Sequence, residues 1–196
     1  MANISIEDIK KLKELSGVGL TDAKNALVEA DGDFDKALDA MRKKGLTKAE
    51  KRGDRETREG LVDSYVHDGR IAAIVEVNCE TSFVAKTDEF KTLAHQLAMQ
   101  VASMNPLYVS EEDIPADVRE KKMKELEENF KGPENMKDKI LEGQAKKAFA
   151  DKVLMNQPYI LDDSKTVAEF IKEAIAKTGE NITVRQFKRI ELGVTE

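Results

Sequence analysis

A chain of 196 residues with 40% hydrophobic and 36% charged side chains can build one or two folded domains, and it is too apolar to be a disordered one. A net charge of −6 argues against affinity won by neutralising phosphates, and a lone cysteine, Cys79, excludes an intrachain disulfide. No apolar run nears the roughly 20 residues of a membrane span, the N-terminus lacks a secretory pattern, and the expected location is the reducing cytoplasm.

The charge is uneven. Residues 1–54 hold 11 Lys+Arg and 11 Asp+Glu, so the acidic excess lies in residues 55–196. Arg42, Lys43, Lys44, Lys48, Lys51, Arg52, Arg55 and Arg58 cluster at the seam. No aromatics are interleaved with them for base stacking, and a solvated linker is the simpler reading.

The first 54 residues read as three short helices. Ser5-Ile-Glu-Asp8 caps the first, on which Ile6, Ile9, Leu12 and Leu15 form a stripe. Gly17 and Gly19 break it, and Thr21 or Asp22 can cap the second, which carries Ala23, Ala26, Leu27 and Ala30. After Asp31-Gly-Asp33 a third helix carries Phe34, Ala37, Leu38 and Met41, with Gly45 as its stop. Val18 and Leu20 sit on the first turn, either tucked into the bundle or offered to a partner.

Residues 55–196 read as an α+β core. Strands are expected at about 60–67 and 70–77, joined by an Asp68-Gly69 hairpin turn. The second strand is almost continuously apolar, so it is expected to be central with both faces mostly covered. A helix from Thr87 or Asp88 to Asn105 carries Phe90, Leu93, Leu97 and Val101 toward the sheet. Residues 110–154 read as a projecting, charged helical hairpin turned at Lys131-Gly-Pro133, its second helix from about Glu134. Thr166-Val-Ala-Glu169 opens another helix, closed by Gly179. In the last strand, 182–192, Ile182, Val184, Ile190 and Leu192 share one phase and Phe187 the other. Either a bulge or a second protein covering Phe187 would explain that, and the covering protein is the preferred expectation.

Catalytic constellations are absent from the sequence. His67 and His95 have no metal-ligand spacing, and Cys79 follows an apolar strand as a small buried thiol would. No phosphate-binding glycine loop follows a strand. The chain reads as a binding protein rather than an enzyme, with no cofactor and no metal. A hydrolase would need a cleft built around one of the histidines.

The most telling stretch is Glu76-Val-Asn-Cys-Glu-Thr-Ser-Phe-Val-Ala-Lys86, where an apolar strand ends in a polar turn bearing Phe83. Together with Gly17-Val-Gly19, Asp22 to Leu27, Gly69-Arg70, Met104-Asn-Pro106, Gln157-Pro158 and Gly179-Glu-Asn-Ile182, it resembles the elongation factor Ts family over nearly the whole chain, in its short form. The first module also resembles the ubiquitin-associated three-helix fold, which leaves an adaptor without exchange activity as the alternative. The resemblance implies nucleotide exchange on GDP-bound elongation factor Tu. Thr81, Ser82, Phe83 and Val84 would insert into the partner and disturb its Mg²⁺ and nucleotide site, while Val18, Leu20 and His67 would dock. It further implies a homodimer paired through the sheet, with no direct nucleic-acid contact and no membrane. The family usually has Asp where this chain has Ser82, so any electrostatic share of the mechanism would be smaller here.

Overall fold

The computed structural model describes residues 4–16, 19–133 and 136–194, and only the backbone of Arg42, Leu46, Thr47, Lys48 and Glu50. Its centre is organised by the turn at Asp68-Gly69, where both residues take positive φ, 49° and 66°. Such a turn twists in the sense of the strands it joins. It pairs β1 (Glu59–His67) with β2 (Ile71–Cys79) in unbroken antiparallel register. β5 (Ile182–Glu191) pairs on the other side of β2, giving the order β1-β2-β5. β2 is central, as expected, but only one of its faces is covered. Ala73, Val75, Val77 and Cys79 are buried, whereas Ile74 on the opposite face is exposed.

The covered face lies under α5 (Asp88–Met104), through Phe90, Leu93, Ala94, Leu97, Ala98 and Val101. Thr87 caps this helix, its side chain accepting from the Phe90 N–H at 3.3 Å. α8 (Val167–Thr178) joins the same core through Val167, Ile171 and Ile175, with the Thr166–Glu169 capping box read from the sequence. A buried amide pair locks α5 to the chain after the helical hairpin: Gln100 Nε2 donates to Gln157 Oε1 at 3.1 Å, and Gln100 Oε1 accepts from the Ile160 N–H at 2.8 Å. Directly after Gln157 a small hairpin of β3 (Pro158–Tyr159) and β4 (Asp162–Thr166), unforeseen in the sequence, stacks Tyr159 on Phe170 with centroids 4.1 Å apart.

Phe187 is explained by a bulge, not by a covering protein. The β2–β5 register passes from Glu76↔Gln186 to Val77↔Val184, leaving Arg185 as the extra residue. The slip reverses the phase of the strand's far half. Phe187 therefore joins Ile182 and Val184 on the core side, and Ile190 turns onto the open face, where it is 72% exposed.

The N-terminal module contains α1 (Ile6–Ser16), α2 (Leu20–Glu29) and α3 (Phe34–Glu50) around Leu12, Ala23, Ala26, Leu27, Ala37 and Met41. The predicted stripe on α1 is narrower than expected: Leu12 is buried, while Ile6 and Leu15 are exposed. α2 begins behind Gly19, its N-cap, so Thr21 and Asp22 lie inside the first turn rather than at the cap position. Nor does Gly45 end α3. A Cβ at that position would lie 3.2 Å from Ala176 Cβ, so the glycine marks where α3 presses on α8. The helix runs one turn further and buries Ala49 in the second core. α6 (Ala116–Glu128) and α7 (Lys137–Phe149) form the expected hairpin, with no buried residue on α6 and Leu141 and Ala145 buried on α7. The expected start of its second helix at Glu134 lies outside the described residues, and α7 begins at Lys137.

Gly60 makes the hairpin's closest backbone approach. Its φ is 151°, and a Cβ there would lie 2.1 Å from the Val77 carbonyl oxygen. Gly60→Ala should therefore cost about 2–4 kcal/mol through backbone strain and overpacking. At roughly 2–4 °C of melting temperature per kcal/mol for a domain of this size, thermal unfolding should show a drop of about 4–16 °C.

Candidate functional site

At Cys79 the β2 strand ends, and the chain makes a single helical turn, α4 (Ser82–Ala85), before α5 starts. Thr81 is its N-cap, with Oγ1 accepting from the Val84 N–H at 3.4 Å. Thr87 closes the other end, its hydroxyl donating to the Val84 carbonyl at 2.8 Å. A four-residue turn laid on a core can bury only one side. Val84 and Ala85 face inward and join the main cluster. Ser82 is exposed, and Phe83 stands in solvent with 78% of its surface accessible. Of the four residues grouped as partner-binding in the sequence, Val84 is thus the anchor and Phe83 the projecting group.

The turn is braced from beneath. Cys79 Sγ donates to the Thr81 carbonyl at 3.2 Å, and burial, followed by the nearby Glu180 charge, pushes its thiol pKa up. A buried neutral thiol is a packing group, not a nucleophile. Glu180, in the loop between α8 and β5, accepts from the Thr81 N–H at 3.0 Å and from the Thr81 hydroxyl at 2.5 Å. Reciprocally, Glu80 accepts from the Asn181 N–H at 2.6 Å. Asn181 Nδ2 then donates to the carbonyls of Gly53 and Arg55, at 3.1 and 2.7 Å. Sequence reasoning misses Glu180 and Asn181. Their signal in the sequence is Gly179-Glu-Asn-Ile182, one of the motifs that carry the family resemblance.

Three further residues are predicted from the sequence, Val18, Leu20 and His67. Leu20 opens α2 and is half exposed, and Val18 lies outside the described residues. His67 ends β1 at the opposite end of the sheet from Phe83. Eight strand steps at about 3.3 Å each separate the two ends, on the order of 25 Å. Tyr65 Oη and His67 Nδ1 are 3.0 Å apart, and Tyr65 also meets His95 edge-on. His95 Nδ1 is 3.5 Å from Asp63 and His67 Nε2 is 3.7 Å from Asp68, so neither histidine faces a serine or cysteine nucleophile in these contacts. Among the described residues no group of three His, Cys, Asp or Glu could hold a metal ion, and no helix is long and apolar enough to cross a membrane.

An exposed aromatic held on a capped, braced turn is a surface suited to binding another protein. Sequence comparison supplies the family. The profile described as "Elongation factor TS" matches residues 44–194. Elongation factor Ts of Thermotoga maritima is 53% identical over 192 residues, covering 97% of this chain and 96% of its own. Those of Thermoanaerobacter pseudethanolicus and Fervidobacterium nodosum are 48% and 47% identical over 194 residues, each covering 97% of this chain and 95% and 98% of their own. The chain belongs to the elongation factor Ts family. It is a cytoplasmic translation factor, a nucleotide exchange factor for elongation factor Tu, and not an enzyme.

The brace makes a pH prediction. The Asn181 N–H, and then Arg55, holds the Glu80 carboxyl below its ordinary value of 4.5. A depressed carboxyl contributes stability that is present above the unfolded value and lost as pH falls through the folded one. The wild type should therefore have the higher thermal midpoint at neutral pH, and its advantage over Glu80→Gln should shrink as pH falls below the ordinary value of 4.5.

Proposed function

We propose that the Thr81–Val84 turn is the element that opens the nucleotide site of elongation factor Tu, with Phe83 as the wedge. The observation that carries this reading is the combination of a nearly fully exposed Phe83 and a turn whose caps hold it fixed. The ring enters between elements of the partner's nucleotide-binding domain and displaces them, which disturbs the bound Mg²⁺ and releases GDP. Leu20 and the first helices dock on the same partner, with Val18 beside Leu20 in the chain. His67, at the far end of the sheet, reaches a more distant part of the partner or a twin subunit. Ser82 keeps a hydroxyl where the family usually has a carboxylate, so the ring carries more of the work here.

Exchange is linkage. If the factor weakens GDP binding, GDP weakens factor binding by the same ratio. Burying a Phe ring contributes about 1.5–3 kcal/mol, and each 1.4 kcal/mol is about tenfold. Phe83→Ala should therefore slow factor-stimulated release of labelled GDP in stopped flow by about ten- to a hundredfold. Release as fast as with wild type would refute the wedge. On size exclusion, the complex with elongation factor Tu should form without GDP and dissociate when GDP is added in excess.

We also propose that two copies pair through the open face of the sheet. Val62, Val66, Ile74, Ile190 and Leu192 are all exposed there, next to Glu76, Gln186 and Lys188. The Cα register sets Val66, Ala72 and Ile190 side by side across three strands. An apolar stripe with both signs of charge beside it can meet its own copy about a two-fold axis. Ile190→Asp should shift the protein to monomer in light scattering, while a dimer that survives this change would refute pairing through this face.

A further inference from the structure

We infer that Glu180 is the positioning residue of the exchange turn, its carboxylate fixing the direction in which Phe83 stands. The inference rests on the wedge reading above. Its basis is the way the β2 and β5 strands part company. Their last paired residues are Cys79 and Ile182, and beyond them each chain supplies a carboxylate to the other's backbone. Glu180 receives the Thr81 N–H, and Glu80 receives the Asn181 N–H. The two carboxylates continue the ladder where the strands have diverged.

Glu180 also controls the cap. The Thr81 hydroxyl donates to Glu180 Oε1 at 2.5 Å and accepts from the Val84 N–H at 3.4 Å. A hydroxyl has one proton and can rotate. With its proton committed to the carboxylate, its lone pairs are turned toward Val84, and donation into an anion makes it a better acceptor. Without Glu180, the hydroxyl is free to turn away and the Thr81 N–H loses its partner. Glu180 is itself held in place. Gly179 takes the left-handed conformation at φ 78°, and the Glu180 N–H donates to Thr178 Oγ1 at 3.3 Å. Thr178 Oγ1 in turn donates to the Ala174 carbonyl at 2.9 Å, so the carboxylate is referenced to the body of α8. Through Asn181 the same loop holds the carbonyls of Gly53 and Arg55, at the end of the N-terminal module. Wedge, core helix and linker therefore share one frame.

Glu180→Gln tests this with little change of shape, because it leaves one acceptor oxygen where the turn uses two. The maximal rate of GDP release from elongation factor Tu should fall about tenfold, the size of one lost charge-assisted bond. The factor concentration for half-maximal release should change less than about threefold, since docking elsewhere is intact. Combined with Phe83→Ala, Glu180→Gln should add no further loss, because it acts through the ring. In the isolated protein, hydrogen exchange at the Val84 amide should speed up, and more so in Thr81→Val, which also removes the hydroxyl. Unchanged protection at Val84, or equal slowing with and without the Phe83 ring, overturns the positioning role while the wedge stands. Wild-type release by Phe83→Ala overturns the wedge itself, and the exchange measurement at Val84 then reports on the brace alone.

Discussion

The constraint on which the rest depends is geometric: one helical turn sitting on a filled core can bury only one side. The space beneath the end of β2 is already occupied by Val77, Cys79 and the first residues of α5, notably Phe90. Val84 and Ala85 complete it. Phe83, one position earlier on a helical path of about 100° per residue, has no inward direction left. The exposed ring follows from how well the core is packed. A larger cavity at this corner would let the aromatic fold under, with a gain of about 1.5–3 kcal/mol for the isolated protein.

The same corner binds the two modules. α3 begins in the small core with Phe34, Ala37 and Met41 and ends in the large one with Ala49. Beyond it, Arg52 Nη1 donates to the Ile175 carbonyl at 3.3 Å and Thr57 meets Thr183 at 2.9 Å. Part of the basic seam is therefore an attachment: Arg52 to α8, and Arg55 through its carbonyl to Asn181. An independent adaptor would need residues 1–54 to work alone. Here the last helix of that module uses the core for its own burial, which a small three-helix bundle has reason to do.

Local chemistry was legible in the sequence, and long-range register was not. Asp68-Gly69 specified a turn with two positive φ values because few other pairs tolerate them, and Thr166 with Glu169 specified a cap within four residues. Phe83 was legible for a similar reason, since the apolar residues of α5 suffice to cover the sheet without it. The phase of β5 failed at Arg185. A bulge adds one residue to the count without altering any residue type, so alternation alone sees two inconsistent halves. Gly45 failed for a related reason: a glycine that lets two helices touch and a glycine that ends a helix look alike until the partner helix is placed. Glu180 was invisible because its acceptor role depends on a residue 99 positions away. An exposed-looking acid after a helix is ordinarily solvated.

On the proposed wedge reading, the brace also accounts for how so small an element could work. Fixing the backbone of one residue costs about 1–2 kcal/mol in entropy. If the four residues of the turn had to be ordered on meeting the partner, that cost would be about 4–8 kcal/mol, more than the ring returns on burial. A free loop bearing phenylalanine would therefore bind by its other contacts and leave the ring to swing aside. Ordering the turn during folding moves that cost out of the binding step, the general benefit of preorganisation. In this chain the ordering is shared among Thr81, Thr87, Cys79 and the Glu180 carboxylate. On the proposed reading, with serine at position 82 instead of a charged side chain, rigidity of the ring is what would remain to drive the partner's elements apart.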